Sequence, residues 1–213
     1  MTNSTYFTTR FQFDKRRSYV WNSIAKNLQK YIPLTSTIIE LGAGYADFIN
    51  SIQAKEKWAL DISFDLRHYA NSDVNCINES ILKSDLKLPS AYFDVVFVSN
   101  FLEHFTSKEL ETIMERIQQI LKKNGLFIII QPNYRYCYRE YFDDYTHSTV
   151  FSHVSLQNFL ESKQFSIRKL IPRYLPFSMK SSLSFGYKLT NLYLRLPFRP
   201  FARQMLIVST INK

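Results

Sequence analysis

The stretch STIIELGAGYADF, residues 36–48, decides how this chain folds. Its first part is rich in β-branched residues, which favours a buried β-strand over residues 36–41. Gly42 and Gly44 follow, and glycine permits the positive φ angles and close backbone approach that a tight turn beside a ligand requires. Apolar residues then recur at helical spacing, which predicts a helix over residues 45–54. The stretch therefore predicts a strand, a glycine turn and a helix in direct succession.

Short apolar runs and helical patterns continue to alternate along the chain. This alternation predicts right-handed strand–helix–strand crossovers and a largely parallel sheet. Continuous apolar strands such as FDVVFVS, residues 93–99, indicate a sheet that is covered on both faces. The predicted strands are 36–41, 58–62, 74–78, 93–99, 126–131, 165–171 and 205–211, and the predicted helices are 10–30, 45–54, 64–70, 107–122 and 155–162, the last with Ser155 as its N-cap.

Length and composition are those of an ordinary globular protein. The chain has 213 residues, 46% of them apolar, which fits one domain with a full core. The polar start, Met1 to Arg10, does not resemble a signal peptide, and the apolar runs are far shorter than the roughly 20 residues that span a bilayer. Cys76 and Cys137 have no metal-ligand spacing. We therefore expect a cytoplasmic protein without a bound metal ion.

Charge is distributed unevenly along the chain. The net charge of +9 arises from +5 in residues 1–30 and +10 in residues 163–213, which leaves −6 in the middle. Basic segments attract anions such as phosphorylated substrates, acidic lipid headgroups or nucleic acid. They can equally be solvated surfaces without a specific partner, and composition alone leaves both interpretations open.

The second predicted strand ends in an acidic residue, Asp61, about 20 residues beyond the glycine turn. An acid at this position can accept hydrogen bonds from both hydroxyls of a ribose. Taken alone, the turn is compatible with any strand-to-helix connection, and Asp61 with a helix cap. The succession of strand, glycine turn, helix, strand and acid predicts a nucleoside-containing ligand at the carboxyl edge of the sheet.

Four stretches closely resemble, in order, the motifs of class I S-adenosylmethionine-dependent methyltransferases. They are ELGAGYADF (40–48), ALDIS (59–63), LPSAYFDVVFVSNFLEHF (88–105) and LKKNGLFIIIQPN (121–133). The resemblance implies an α/β, Rossmann-like, seven-stranded, mostly parallel sheet with helices on both faces and a C-terminal antiparallel hairpin. It also implies a domain over residues 36–213 with an insertion at 172–203, preceded by a basic helical segment over residues 1–35.

The same resemblance implies S-adenosylmethionine as cofactor and S-adenosylhomocysteine as product. The glycine turn would border the methionine moiety, Asp61 would bind the ribose hydroxyls and Ile62 would pack on adenine. Ser80 stands where the family commonly has an aspartate for the adenine amino group. Asn100 and Phe101 would lie beneath the sulfonium. The implied cofactor-binding residues are Glu40, Gly42, Ala43, Gly44, Asp61, Ile62, Ser80, Asn100 and Phe101.

Catalysis at a hydroxyl acceptor calls for a general base at the same sheet edge. His104 comes directly after the fourth predicted strand, and the motif YFDDYTH at 141–147 supplies Asp144 and His147, which can form an acid–imidazole pair. A structural histidine and a hydrogen-bonded loop that caps the pocket are the alternatives. The predicted catalytic residues are His104, Asp144 and His147.

Substrate binding is predicted at Arg135, Arg139 and Tyr141, since arginine can hold a phosphate or carboxylate through two hydrogen bonds. Both arginines can equally be ordinary surface residues. The region around them, QPNYRYCYREYFDDYTHSTVFSHVSLQNFLESKQFSI (131–167) and IPRYLPFSMKSS (171–182), is similar to bacterial methyltransferases encoded among surface-polysaccharide or glycosyl-transfer genes. This narrower resemblance implies O-methylation of a sugar or other small-molecule or glycan hydroxyl.

Two alternatives to this function stay open. The basic flanks suit an RNA methyltransferase, but SNFLEH lacks the proline-rich motif used for exocyclic amines, so we do not expect a nucleic-acid partner. A non-enzymatic cofactor-binding protein is the other alternative, because a fold does not fix a function.

The predicted surface contacts lie at the two ends of the chain. Residues 172–203 are basic and aromatic, which fits a peripheral membrane or lipid-linked substrate contact, a lid, a homodimer surface or a helix packed on the domain. The N-terminal helix over residues 10–30 is expected to pack on the sheet and cover the pocket, with Arg16 or Tyr19 touching the ligand.

Overall fold

Seven strands form a single sheet in the order β3-β2-β1-β4-β5-β7-β6. The structure is a computed structural model that describes residues 13–62, 66–176 and 186–211. Strands β1 to β5 run parallel, and β7 pairs antiparallel with β5 on one side and β6 on the other. The strands are β1 (Thr37–Leu41), β2 (Glu56–Leu60), β3 (Val74–Ile77), β4 (Phe93–Ser99), β5 (Leu121–Pro132), β6 (Phe165–Pro176) and β7 (Ala202–Ile211). The predicted Rossmann-like sheet with a C-terminal antiparallel hairpin is confirmed.

Helices cover both faces of this sheet. Within the described ranges they are α1 (Arg16–Leu28), α2 (Asp47–Ser51), α3 (Leu66–Tyr69), α4 (Ser107–Ile120), α5 (Tyr134–Cys137), α6 (His153–Ser162) and α7 (Gly186–Arg195), with short 3-10 turns at Gln29–Tyr31, Leu102–His104 and Tyr141–Asp143. Neighbouring residues of a strand point to opposite faces. Ile38 and Val95 accordingly join the core that includes α1 and α2, whereas Ile39 and Val96 join the core that includes α4 and α6.

Helices α2 and α6 show where the limits of the helices depart from the sequence prediction for a clear physical reason. Helix α2 is shorter than 45–54, because Ala46 adopts a left-handed φ of 58° before it and Ile52 is extended after it. Helix α6 begins before Ser155, so the expectation that Ser155 is its N-cap is wrong. Ser152 is the N-cap: its Oγ accepts a hydrogen bond from the Ser155 N–H at 3.1 Å, and Ser155 Oγ accepts one from the Ser152 N–H at 2.9 Å. This reciprocal capping box explains why a serine three residues earlier starts the helix.

The two ends of the chain pack against each other. Helix α7 contacts α1, and its Leu194 is buried in the same core as Val20 and Ile24 of α1. Strand β6 extends to Pro176 and β7 begins at Ala202, so the connection between them is shorter than the predicted insertion 172–203, and its residues 177–185 lie outside the described part of the chain. The division of the chain near residue 35 remains a prediction. Among the described helices, none has the length and apolar character needed to cross a membrane.

Candidate active site

The glycine turn after β1 is hydrogen-bonded to the end of β2. Gly42 and Gly44 adopt positive φ angles of 73° and 52°, which only glycine accommodates without strain. The Gly42 N–H donates to the Leu60 carbonyl at 2.8 Å, and the Gly44 N–H donates to Asp61 Oδ2 at 2.8 Å. Because β1 and β2 are parallel neighbours, the residues that follow them meet at one sheet edge. The buried Asp61 carboxylate therefore faces the turn, and its predicted contact with ribose hydroxyls stays a prediction.

Glu40, on β1 just before the glycine turn, binds the backbone of the helix that follows the turn. Its side chain is buried, and Oε2 accepts a hydrogen bond from the Ile49 N–H of α2 at 3.0 Å. Burial raises the pKa of Glu40 well above its ordinary value, and the nearby Asp47 and Asp61 carboxylates add to the rise. Glu40 thus anchors the first turn of α2. Its predicted contact with the methionine moiety of the cofactor stays a prediction.

The end of β4 carries buried polar atoms beside an aromatic ring. Phe101 lies against Gly42, since a Cβ atom added to that glycine would lie 2.3 Å from Phe101 Cδ2. Asn100 adopts a left-handed φ of 47°, and its N–H donates to the Ile130 carbonyl at 2.9 Å. Ser99 Oγ and Asn100 Oδ1 are buried and have no hydrogen-bond partner among the described residues. Such atoms are rare in folded proteins, so this edge suits a polar ligand.

The remaining predicted cofactor residues lie around the same turn and the next loop. Ala43 is buried, and its N–H donates to the Leu60 carbonyl at 3.3 Å. Ile62, directly after Asp61, is 48% exposed and offers an apolar surface. Ser80 Oγ accepts a hydrogen bond from the Leu82 N–H at 3.1 Å, so this side chain stabilises its own turn.

His104 and Asp144 are connected through a threonine that the sequence analysis did not identify. The Thr146 hydroxyl lies 2.9 Å from His104 Nδ1 and donates to Asp144 Oδ1 at 2.6 Å. A hydroxyl has a single proton, and Thr146 donates it to Asp144, so the His104 Nδ1–H donates to Thr146 Oγ1. Thr146 stands inside YFDDYTH between the two predicted catalytic residues, but only the folded loop shows that it bridges them.

The second predicted imidazole lies beside the first. The ring centroids of His104 and His147 are 5.1 Å apart, and the Tyr141 ring is 4.5 Å from that of His147. Burial and the neighbouring His147 lower the pKa of His104, which favours a neutral ring. Burial alone would raise the pKa of Asp144. The hydrogen bonds that Asp144 accepts from Thr146, together with its electrostatic attraction to the His147 and His104 imidazoles, outweigh burial and lower this pKa. The structure thus brings all three predicted catalytic residues together.

Glu103 and Gln131 are buried polar residues that the sequence analysis missed. Glu103 is fully buried, and both of its carboxylate oxygens lack a hydrogen-bond partner within the described part of the chain. Burial raises the pKa of Glu103 to about 8. The side-chain amide of Gln131, near the end of β5, likewise has no partner among the described residues. The signal for Glu103 was its position beside His104 in LEHF, but burial without a partner cannot be inferred from that motif.

The predicted substrate residues have different surroundings. Tyr141 is fully buried, and its hydroxyl donates to the Thr149 carbonyl, so this side chain holds the loop together instead of facing solvent. Arg135 and Arg139 are exposed, and the Arg139 guanidinium lies over the Tyr138 ring at 5.7 Å. The other large exposed side chains of the loop are Phe142 and Tyr145.

The N-terminal segment touches the glycine-turn region through residues other than those expected. Phe13 packs edge-on against the Tyr45 ring at 5.2 Å, and Arg17 forms a 3.1 Å ion pair with Asp47 at the start of α2. Arg16 is instead paired with Asp14, and Tyr19 is 61% exposed. A ligand contact by Arg16 or Tyr19 therefore stays a prediction.

Comparison with known structures shows the same architecture in methyltransferases. A SAM-dependent methyltransferase from Archaeoglobus fulgidus is 18% identical with a TM-score of 0.64, covering 98% of this chain and 100% of that one. A chain of the complex between the Haloferax volcanii Trm112 methyltransferase activator and a methyltransferase is 16% identical with a TM-score of 0.68, covering 92% and 91%. An S-adenosylmethionine-dependent methyltransferase from Clostridium acetobutylicum is 13% identical with a TM-score of 0.63, covering 99% and 97%. At these identities the likeness shows the fold alone.

Family assignment comes from the sequence. No curated protein sequence matches the chain significantly. The sequence pattern of the methyltransferase domain family matches residues 13–170, which is most of the chain. This range contains the glycine turn, Asp61 and the group of His104, Asp144, Thr146 and His147, hereafter the His104 cluster. The chain therefore belongs to the methyltransferase domain family.

Proposed function

We propose that the protein is an S-adenosylmethionine-dependent methyltransferase that acts on a hydroxyl group of a sugar or another small-molecule or glycan acceptor. The observation that carries the proposal is the Asp61 carboxylate, held 2.8 Å from the Gly44 N–H at the carboxyl edge of the sheet. This is the edge at which doubly wound sheets bind their ligands. Family membership and the fold support the choice of methyl donor.

The residues at this edge fit an adenosyl ligand. Each carboxylate oxygen can accept more than one hydrogen bond, so Asp61 can hold the Gly44 N–H and still accept from ribose hydroxyls. The rest of the ligand would be bordered by the ring of Phe101 and by the polar atoms of Ser99 and Asn100, which have no partner among the described residues. When bound, S-adenosylmethionine supplies a methyl group that its sulfonium has already activated. The task left to the protein is to orient the acceptor and to assist the loss of its proton.

Proton removal from the acceptor is assigned to the His104 cluster. A neutral imidazole can accept a proton from a hydroxyl, and such assistance contributes about 10²–10⁴-fold to the rate. The hydrogen bonds from His104 through Thr146 to Asp144 fix the ring orientation and stabilise the ring if it becomes charged. Arg135 and Arg139, exposed in the same loop region, would bind a phosphate or carboxylate group of the acceptor.

Asp61→Asn tests the cofactor site. The amide oxygen can still accept the Gly44 N–H, but the variant loses the charge that strengthens hydrogen bonds to ribose. A hydrogen bond to a charged group contributes about 1.5–3 kcal/mol. We therefore expect affinity for S-adenosylhomocysteine, measured by calorimetry, to fall by about 10- to 100-fold.

Asp73→Asn is the matched control, since Asp73 is an exposed aspartate just before β3, at the sheet edge opposite the glycine turn. It should bind like the wild-type protein, and circular dichroism should show both variants folded. Equal affinity in all three proteins, or no binding by the wild type, would refute the site.

The acceptor class is tested with S-adenosylmethionine that carries a labelled methyl group. We expect label in nucleotide-linked or lipid-linked sugars and none in RNA. His104→Ala should lower the transfer rate by about 10²–10⁴-fold while S-adenosylhomocysteine still binds. Label in a ribonuclease-sensitive fraction, together with RNA affinity that falls steeply with salt, would favour the RNA alternative. Binding without transfer to any acceptor would favour a non-enzymatic role.

The surface around α7 is the proposed contact with a membrane or a lipid-linked acceptor. Leu192, Phe198 and Phe201 are exposed there, and the neighbouring Arg195 is exposed as well. Apolar side chains beside cations favour an anionic lipid surface. The cytoplasmic location, the homodimer and the link to polysaccharide synthesis remain predictions from the sequence.

A further inference from the structure

Three metal-ligating side chains meet next to the proposed active site. Glu103, His104 and His147 each offer one ligand atom, and these atoms lie within 4.8 Å of one another. The first two residues follow β4, and the third comes from the loop after α5. Backbone hydrogen bonds hold the two segments together, because the Glu103 carbonyl accepts hydrogen bonds from the N–H groups of Ser148 and Thr149 at 2.8 and 3.1 Å.

The surroundings of Glu103 point independently to a cation. Its side chain is fully buried, and in the described part of the chain neither carboxylate oxygen accepts a well-formed hydrogen bond; the backbone N–H groups of Phe101 and of Glu103 itself lie near it and favour its ionised form. An ionised carboxyl group is costly to bury unless a cation or several donors compensate for its lost hydration. Its closest ligating neighbours are the two imidazoles, which suit a metal ion more than they suit a direct ion pair.

His104 has the second contact that metal-binding histidines commonly have. Its Nδ1–H donates to Thr146 Oγ1, which in turn donates to Asp144 Oδ1. In metal sites, a hydrogen bond from the distal ring nitrogen toward a carboxylate orients the ligating nitrogen and increases its basicity. Here the threonine hydroxyl relays that contact.

We propose that Glu103, His104 and His147 bind a divalent transition-metal ion that keeps an open position for the oxygen of the acceptor. Two imidazoles and one carboxylate are a donor set typical of zinc and of iron(II), whereas Mg²⁺ and Ca²⁺ prefer sites made of oxygen ligands alone.

The catalytic role of this ion rests on the proposed function. An acceptor hydroxyl bound at the open position becomes more acidic and releases its proton to solvent. Its oxygen lone pair then forms the bond to the methyl carbon as the carbon–sulfur bond breaks, and that bonding pair stays on sulfur. In this arrangement the two imidazoles are ligands, and the ion takes over the activation otherwise assigned to His104.

Metal titration of the chelator-treated protein tests the site. We expect the wild type to bind one equivalent of Zn²⁺ or Co²⁺ by calorimetry, with a Co²⁺ visible spectrum typical of nitrogen and oxygen ligands, and to bind Mg²⁺ far more weakly. Glu103→Gln and His147→Ala each remove one ligand and should lower the affinity by more than 100-fold. Thr146→Val removes only the supporting contact and should lower it by about 10- to 100-fold.

His68→Ala is the control, since His68 lies in α3 outside the cluster, and it should bind metal like the wild type. Glu103→Gln leaves a buried amide and can disturb folding, so the half-buried His147 gives the decisive variant. Equal affinity in the wild type and His147→Ala, or no stoichiometric metal in the wild type, would overturn the proposal.

Binding of S-adenosylhomocysteine to the chelator-treated protein separates the two hypotheses. If metal binds as expected but S-adenosylhomocysteine does not, the metal site stands and the proposed function fails. If S-adenosylhomocysteine binds and methyl transfer proceeds equally with and without chelator, the proposed function stands and the catalytic metal is rejected.

Discussion

Single residues of the site are held by backbone contacts that the sequence does not reveal. Glu40 has a carboxylate that accepts the Ile49 N–H inside the protein, with Asp47, Asp61 and Arg17 as its charged neighbours. Burial is the largest of these influences and disfavours the ionised form. Since the folded state raises the pKa of Glu40, the folded protein binds a proton more tightly than the unfolded chain does.

Glu40→Gln should remove a pH dependence of stability. Because the pKa of Glu40 is raised on folding, its contribution to stability is complete below the ordinary pKa of a glutamate and is lost as pH rises through the folded-state pKa. In that window the wild type should lose up to about 1.4 kcal/mol of unfolding free energy per pH unit relative to the variant. Urea unfolding at several pH values between 5 and 8 measures this difference.

Glu115→Gln is the control, because Glu115 is exposed on α4. Its unfolding free energy should follow the wild-type curve at every pH. Parallel curves for the wild type and Glu40→Gln would show that the buried carboxyl group does not titrate differently on folding.

Contacts of a residue could be anticipated from the sequence where the partner follows from the parallel sheet, and could not where the partner lies in a distant loop. Asp61 and Gly44 belong to consecutive strand ends, so their meeting follows from a parallel sheet. Thr146 meets His104 across 42 positions, through a loop whose path depends on tertiary contacts. For the same reason, no local pattern indicated that Glu103 is buried without a hydrogen-bond partner among the residues that the structure describes.

The sequence predicted whether a segment is a strand or a helix better than it predicted the first and last residues of that segment. Buried β-branched strands such as β1 and β4 carry a strong local signal, and β4 has the predicted limits, Phe93–Ser99. Helix α2 was overestimated because its length depends on the φ of Ala46 and the extended conformation of Ile52, not on the apolar spacing between them. Ser152 and Ser155 are both residues of a type that caps helices. Ser152 is the N-cap of α6 because its side chain accepts a hydrogen bond from the Ser155 N–H.

The segment from α7 to β7 should associate with anionic lipid vesicles. Phe198 and Phe201 are 68% and 78% exposed, and burial of such a side chain contributes about 1.5–3 kcal/mol. We expect co-sedimentation with phosphatidylglycerol vesicles, weaker binding to neutral vesicles, and at least a tenfold loss in the double variant Phe198→Ser, Phe201→Ser.

Leu34→Ser is the control, since Leu34 is an exposed apolar residue before β1 and lies outside this surface. Its vesicle binding should match that of the wild type. If the wild type stays in the supernatant with anionic vesicles at low salt, the segment is not a lipid contact.

At the scale of the whole molecule, the alternation of strands and helices predicted the parallel half of the sheet from physical principles. The antiparallel position of β7 came only from the family resemblance, since a late apolar strand has no local feature that selects its neighbours. Leu126 pairs with Thr210, which is far away in sequence. The spacing of apolar residues along the chain does not show which distant strands pair. The charge pattern likewise indicated anionic partners without identifying them.

The position of β7 also determines the order in which the sheet can be completed during synthesis. This strand leaves the ribosome last of the seven, yet it lies between β5 and β6. Until it emerges, the outer edge of β5 and the whole of β6 lack their backbone partner, and unpaired edges of this kind promote aggregation. A nascent chain stalled before residue 202 would expose both edges at once, so we expect it to aggregate more readily than the completed chain.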